Sequence, residues 1–191
     1  MKESGSLCLG DPILLSWVLI EINSSVRILL KFVLDNAQSM ECVGWRLFME
    51  IIASYYTDVG RTKQINQDSL SVKVVNSPKG KLVFAVVCDG MGGLEQGELA
   101  SKEVVMAMNS WFDTSFARMV ASNTVSEELI FSQWRNEIDR VNVALEEYAQ
   151  EQGVTLGTTL TALLTYQNQY FICHVGDSRI CLLYTSPSPR D

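Results

Sequence analysis

The chain has 191 residues and a formal net charge of −7, from 15 basic and 22 acidic side chains, and 47% of it is hydrophobic. That is enough for one domain with an ordinary core, and the acidic balance excludes the positive footprint of a nucleic-acid binder. The five cysteines, at 8, 42, 88, 173 and 181, form no Cys-x-x-Cys pair, and with a single histidine they argue against a zinc site or an oxidising compartment.

Residues 1–48 differ in character from the rest of the chain. Pro12 to Leu34 is apolar but interrupted by Glu21, Asn23, Arg27 and Lys31. Its longest uncharged piece, Pro12 to Ile20, is far short of the roughly 20 residues of a membrane helix. No membrane association is expected, and an amphipathic surface helix stays open. Residues 1–48 are therefore set apart as an N-terminal extension. Its origin stays open between translated upstream DNA and a genuine but dispensable segment.

Met49 to Val59 predicts a first strand, and Asp58 to Asp68 a polar loop. Asp68 to Val75 predicts a second strand, in which Leu70, Val72 and Val74 alternate with Ser71, Lys73 and Val75. Asn76 to Gly80 carries a proline and a glycine and reads as a turn. The next stretch, Lys81-Leu-Val-Phe-Ala-Val-Val-Cys-Asp89, is an unbroken apolar run ending on a carboxylate. Its short, β-branched character predicts a strand buried on both faces. Gly90, Gly92 and Gly93 come next, and they permit close backbone approach beside the acid. An acid at the end of a rigid strand beside such a turn suits a hard divalent cation. Alone, Asp-Gly is equally a common turn.

A helix is expected from near Gly97, with Ala100, Val104, Ala107, Met108 and Trp111 on one face. A second helix is expected behind a capping box of Thr124 and Glu127, with Ile130, Trp134, Ile138, Val141, Leu145 and Tyr148 as its stripe and Gly153 as its stop. These stripes read as core packing. Thr158 to Tyr166 and Tyr170 to Val175 predict a hairpin across Gln167-Asn168-Gln169. Cys88 and Cys173 fall inside apolar runs and read as small core residues. The order of strands, helix pair and strands fits a layered α+β domain.

Four stretches gain meaning together: Thr57-Asp-Val-Gly60-Arg-Thr-Lys63-Gln-Ile-Asn66-Gln-Asp68-Ser, Asp89-Gly-Met-Gly-Gly93, Gly157-Thr-Thr159 and His174-Val-Gly176-Asp177-Ser-Arg179. In this order and spacing they resemble the metal-dependent serine/threonine protein phosphatases of type 2C, the PPM family. The resemblance runs from about Tyr55 to Ile180 and covers roughly the first half of that family's domain. Residues 49–180 are thus expected to form the N-terminal part of a PPM-type domain. The implied fold is α+β, a truncated four-layer α-β-β-α sandwich of antiparallel sheets flanked by helix pairs. Residues 181–191 begin like a strand and end in Ser-Pro-Ser-Pro. They resemble translated sequencing-adapter DNA and are set aside from the fold; a proline-rich terminus is the alternative.

The resemblance implies hydrolysis of phosphoserine and phosphothreonine in proteins by water activated by two Mn2+ or Mg2+ ions, with a third, weaker ion. It implies Asp89 as the bridging carboxylate and the Gly90 carbonyl as a further ligand. Asp68 matches the acid that contacts the ions' waters, with Gln67 where glutamate is often found. Asp177 matches the acid of the third site, and Lys63 stands where an arginine often grips the substrate phosphate. Lysine supplies the charge without the two-pronged fork. The plainer readings are a solvated loop acid for Asp68, a turn residue for Asp177 and an exposed lysine for Lys63.

Met91 occupies the place of a histidine that is the usual candidate for protonating the leaving group. His174 lies three residues from Asp177, points to the opposite side of an extended strand and reads as a core or sheet histidine. The family's later metal-binding aspartates have no counterpart in this chain, so the fragment is expected to be inactive alone. The expected partners are phosphoproteins made by a serine/threonine kinase, and the expected state is a cytoplasmic monomer. The alternative is an inactive phosphatase-like regulatory or binding module.

Overall fold

In the computed structural model the described residues are 2–6, 16–22, 26–34, 49–57, 59, 65–92, 96–167 and 169–184, and they form ten strands and three α-helices. In chain order these are β1 (Lys2–Ser6), β2 (Ser16–Ile22), β3 (Val26–Leu34), β4 (Met49–Thr57), β5 (Asp68–Ser77), β6 (Gly80–Gly92), α1 (Gln96–Trp111), α2 (Ala117–Ser122), α3 (Glu127–Gln152), β7 (Leu156–Thr158), β8 (Leu160–Tyr166), β9 (Gln169–Val175) and β10 (Arg179–Tyr184). One sheet has the order β1-β9-β8-β6-β5, with β7 added beside the end of β6; the second has the order β10-β2-β3-β4. Every pairing in both is antiparallel.

β6 explains the layering. Leu82, Phe84, Val86 and Cys88 point to one face, where they join Trp111, Phe112, Phe116, Ile130 and Trp134 from the helices. Val83, Ala85 and Val87 point to the other, where they meet Ile20, Ile28 and Leu30 of the second sheet. All of β6 from Val83 to Cys88 is fully buried. Each such large apolar side chain contributes about 1.5–3 kcal/mol relative to exposure. The helix-side core is aromatic: Phe84 stacks on Phe112 at 4.9 Å, and Trp111 meets Trp134 edge-on at 5.5 Å.

The described residues thus give three layers, a helix layer on a sheet on a second sheet. The second helix pair of the expected four-layer sandwich is not among them. The hairpin of β8 and β9 forms as expected, with Gln167 at φ 55° in its turn.

Several elements depart from the sequence reading. The Pro12–Leu34 region holds two paired strands, β2 and β3, and no amphipathic helix among its described residues. Their alternating Ile20, Ile28 and Leu30 find an apolar sheet to cover, and that favours strand over helix. β6 does not stop at Asp89; β7 pairs with Gly90, Met91 and Gly92 and extends it. Val74 is 43% exposed, because the second sheet covers β5 only as far as Leu70 and Val72. After α1 the chain makes a π-helical turn, Phe112–Phe116, and continues into α2. α3 is capped by Ser126, whose hydroxyl accepts from Leu129 N at 3.2 Å, and not by Thr124. Thr124 instead shares a hydrogen bond with Ser122 Oγ. Gly153 ends α3 in the left-handed conformation, as expected. Tyr148, at the end of the predicted α3 stripe, is 39% exposed.

Candidate metal and active site

The chain crosses between the two sheets at one end of the sandwich. β4 of the second sheet leads to β5 of the first, and β9 of the first leads to β10 of the second. Asp68 opens β5 directly opposite Asp89 of β6 in the antiparallel register. Directly opposed residues share a sheet face and stand about 4.5–5.5 Å apart at Cβ. By the alternation of β6, that face is the one carrying Val83, Ala85 and Val87, between the sheets. Both acids are half-buried at its mouth. Two like charges in this position repel. A cation between them would relieve that.

Asp89 is fixed from two sides. On the helix side, Gly90 N donates to Gln67 O at 3.1 Å, and the buried Ser101 of α1 donates to the same carbonyl at 2.6 Å. Gln67 Nε2 donates in turn to Gly92 O at 3.3 Å. This buried amide stands where the family often has glutamate, and no charge has to be buried there. A Cβ on Gly90 would lie 2.0 Å from Gly97 O and 2.5 Å from Gln67 O, so the close approach expected of the glycine loop is real at this position. On the β7 side, Thr159 N donates to Asp89 O at 2.9 Å, and Asp89 N donates to Thr159 Oγ1 at 2.9 Å. Thr158 Oγ1 also donates to Asp89 O.

Asp177 is exposed in the bend after β9 and is not gathered with Asp68 and Asp89 into one cluster. Its neighbour Ser178 is buried and hydrogen-bonded to Thr159 Oγ1 at 3.0 Å. His174 has both ring nitrogens engaged, Nδ1 with Thr161 Oγ1 at 3.0 Å and Nε2 with Gly176 O at 2.9 Å. That matches a sheet histidine. Burial pushes the Cys88 thiol far above its ordinary range, against a weaker opposing pull from a Thr158 hydrogen bond, so this neighbour of Asp89 is a core residue and no nucleophile. Lys63 and Gly93 lie outside the described residues. An apolar groove of 280 Å³ between α1, α3 and β7 touches this region only through Met91, Gly157 and Thr158, and its Val104, Met108, Val141 and Leu160 walls do not suit a phosphate.

A family model described as "Protein phosphatase 2C" matches residues 59–186. The chain belongs to the protein phosphatase 2C family. It is 32% identical over 137 residues to "Protein phosphatase PhpP" of Streptococcus pneumoniae serotype 2, covering 71% of this chain and 50% of that protein. It is 33% identical over 133 residues to "Serine/threonine phosphatase stp" of Listeria welshimeri, covering 69% of this chain and 49% of that protein. The solved serine/threonine phosphatase of S. agalactiae superposes with a TM-score of 0.50 at 26% identity, covering 66% of this chain and 52% of that one. The chain spans about half the length of the curated relatives it matches.

Membership of the phosphatase 2C family implies metal-dependent catalysis. The Asp68 and Asp89 carboxylates and the Gly90 carbonyl offer oxygen atoms, which would suit a hard divalent cation. Among the described residues no three His, Cys, Asp or Glu side chains form a metal-holding group. In the sequence Thr159 and Ser178 stand out only as parts of family motifs, and Ser101 carries no signal at all. The motif is the one available clue, because their partners become visible only in the register of β6 and β7.

Proposed function

We propose that this chain is the N-terminal part of a Mn2+- or Mg2+-dependent protein phosphatase acting on phosphoserine and phosphothreonine. The observation that supports it most is the opposition of Asp68 and Asp89 across β5 and β6, beside a glycine carbonyl at the mouth between two sheets. In this reading Asp68, Asp89 and the Gly90 carbonyl hold two ions, and Asp177 serves a third. When bound, the ions supply a water acidic enough to attack at neutral pH and offset the charge of the phosphoryl oxygens. Asp89 is rigid because both its main-chain polar groups are hydrogen-bonded. Asp68 orients water by accepting its hydrogen bonds. Lys63 draws the substrate phosphate into the cleft. With methionine at 91 and both nitrogens of His174 engaged, the leaving oxygen takes its proton from water.

The same reading takes 49–180 as the phosphatase part, with β2 and β3 from the 1–48 extension completing its second sheet and β10 running on to Tyr184. In the full-length protein the rest of the domain adds the second helix pair and two further metal-binding acids. The substrates are phosphoproteins made by a serine/threonine kinase, and the protein works as a cytoplasmic monomer. Among the described residues no helix is long and apolar enough to cross a membrane. The test is phosphate release from a phosphothreonine peptide by the full-length protein. Release that requires Mn2+ or Mg2+ and stops on chelation supports the proposal. Metal binding without release would favour a regulatory module.

A further inference from the structure

We propose that Thr159 is a positioning residue whose hydroxyl sets the Asp89 carboxylate and Gly90 carbonyl relative to Asp177. This rests on the metal-dependent reading of the site. The flanking pairs, Gly90 with Thr158 and Val87 with Thr161, share one register, and it puts Thr159 opposite Asp89. A regular antiparallel pair here would exchange two N–H···O=C bonds. Only one of them forms, from Thr159 N to Asp89 O. In the other, Asp89 N donates to the Thr159 hydroxyl, and the Thr159 carbonyl instead lies 3.0 Å from Thr158 Oγ1, whose one proton is shared between it and Asp89 O. A side chain thus replaces a ladder carbonyl at the position of the central acid, between the end of β7 and the start of β8.

The substitution ties in a third segment. A hydroxyl has one donor and two acceptor positions. Thr159 Oγ1 uses one acceptor for Asp89 N and shares a further bond with Ser178 Oγ at 3.0 Å. Its methyl packs where Gly176 passes at φ 111°; a Cβ on Gly176 would lie 2.6 Å from Thr159 Cγ2. Gly176 and Ser178 bracket Asp177. One buried side chain therefore joins the Asp89 strand to the segment carrying Asp177.

The test uses the full-length protein, with Mn2+ as the probe and two readouts, Mn2+ binding by electron paramagnetic resonance and phosphopeptide hydrolysis. Thr159→Val keeps the methyl and removes the hydroxyl. Partners that orient metal ligands typically affect affinity by about 10–100-fold. Thr159→Val is expected to weaken Mn2+ binding by at least about 10-fold, lower kcat at saturating Mn2+ and leave the phosphopeptide KM unchanged. Thr159→Ser restores the hydroxyl and should restore Mn2+ binding. Wild-type Mn2+ affinity in Thr159→Val, or equal losses in the Ser and Val variants, would overturn the proposal. Should Thr159→Val not fold, Ser178→Ala decides: it cuts the tie to the Asp177 segment, and unchanged Mn2+ affinity there overturns the proposal. Asp89→Asn runs beside them. Wild-type Mn2+ binding in that variant would defeat the metal-dependent reading itself, and the claim about Thr159 with it. Loss of binding in Asp89→Asn with none in Thr159→Val defeats only the claim about Thr159.

Discussion

Asp68 and Asp89 are register partners, the first residue of one strand facing the central acid of the next. A one-residue slip of β5 would move Asp68 to the helix side of the sheet. The site therefore depends on the pairing that also directs Leu70 and Val72 into the second core.

Gly90→Ala tests how tightly that arrangement is built. The added Cβ would meet two backbone oxygens, Gly97 O and Gln67 O, and neither can move as a flexible side chain can. Overpacking of this kind costs about 1–3 kcal/mol. The expected result is a stability loss at the upper end of that range in urea titration, with loss of activity in the full-length protein. Wild-type stability would mean that α1 and β6 are in looser contact than this geometry requires.

The helix cap offers a direct comparison. Ser126→Ala removes the acceptor for Leu129 N and should lower stability by about 1 kcal/mol. Thr124→Ala should change it by less than about 0.5 kcal/mol. Thermal unfolding of the two variants separates them, and the reverse order would restore the capping box expected from sequence.

Much of the fold is legible in the chain itself. β6 declares itself through an apolar run too short for a helix, and α3 through its stripe and Gly153. The acids are legible because the family motifs carry them in order. Three things are not. β2 and β3 pair within the second sheet, and charges at 21, 27 and 31 obscure their alternation. Ser126 outcompetes Thr124 because a cap depends on where the backbone turns extended, here φ −138° at Ser126. The Thr159 lock depends on a side chain replacing a carbonyl, which no local pattern announces.

Cys88 gives a pH-dependent prediction. Its thiol is raised by burial, so the folded state holds the proton where the unfolded chain, with a thiol near about 8.5, releases it. Its contribution to stability is fully present below about pH 8.5 and falls as pH rises beyond it. At about pH 8, just below that thiol range, iodoacetamide should modify the exposed Cys181 and leave the buried Cys88 and Cys173 untouched. Peptide mass spectrometry reads this out. Rapid labelling of Cys88 in the native protein would contradict its burial.

Lys63, which falls between β4 and β5 in the sequence, is predicted to bind phosphate. In the full-length protein Lys63→Ala should raise the KM for a phosphopeptide with little change in kcat, and Lys63→Arg should match or improve on wild type through fork geometry. Equal kinetics for wild type and Lys63→Ala would make the lysine a bystander.

The central claim is that Asp89 bridges the metal ions of a phosphatase, and one substitution addresses it directly. Asp89→Asn keeps the shape and the main-chain bonds to Thr159 and removes the charge. The carboxylate charge that would offset the mutual repulsion of two divalent ions in a partly desolvated cleft is then gone. The measurement is Mn2+-dependent hydrolysis of a phosphothreonine peptide by the full-length Asp89→Asn protein, alongside its melting temperature. The account predicts abolished activity with an unchanged or slightly raised melting temperature. Undiminished Mn2+-dependent activity in Asp89→Asn would contradict it.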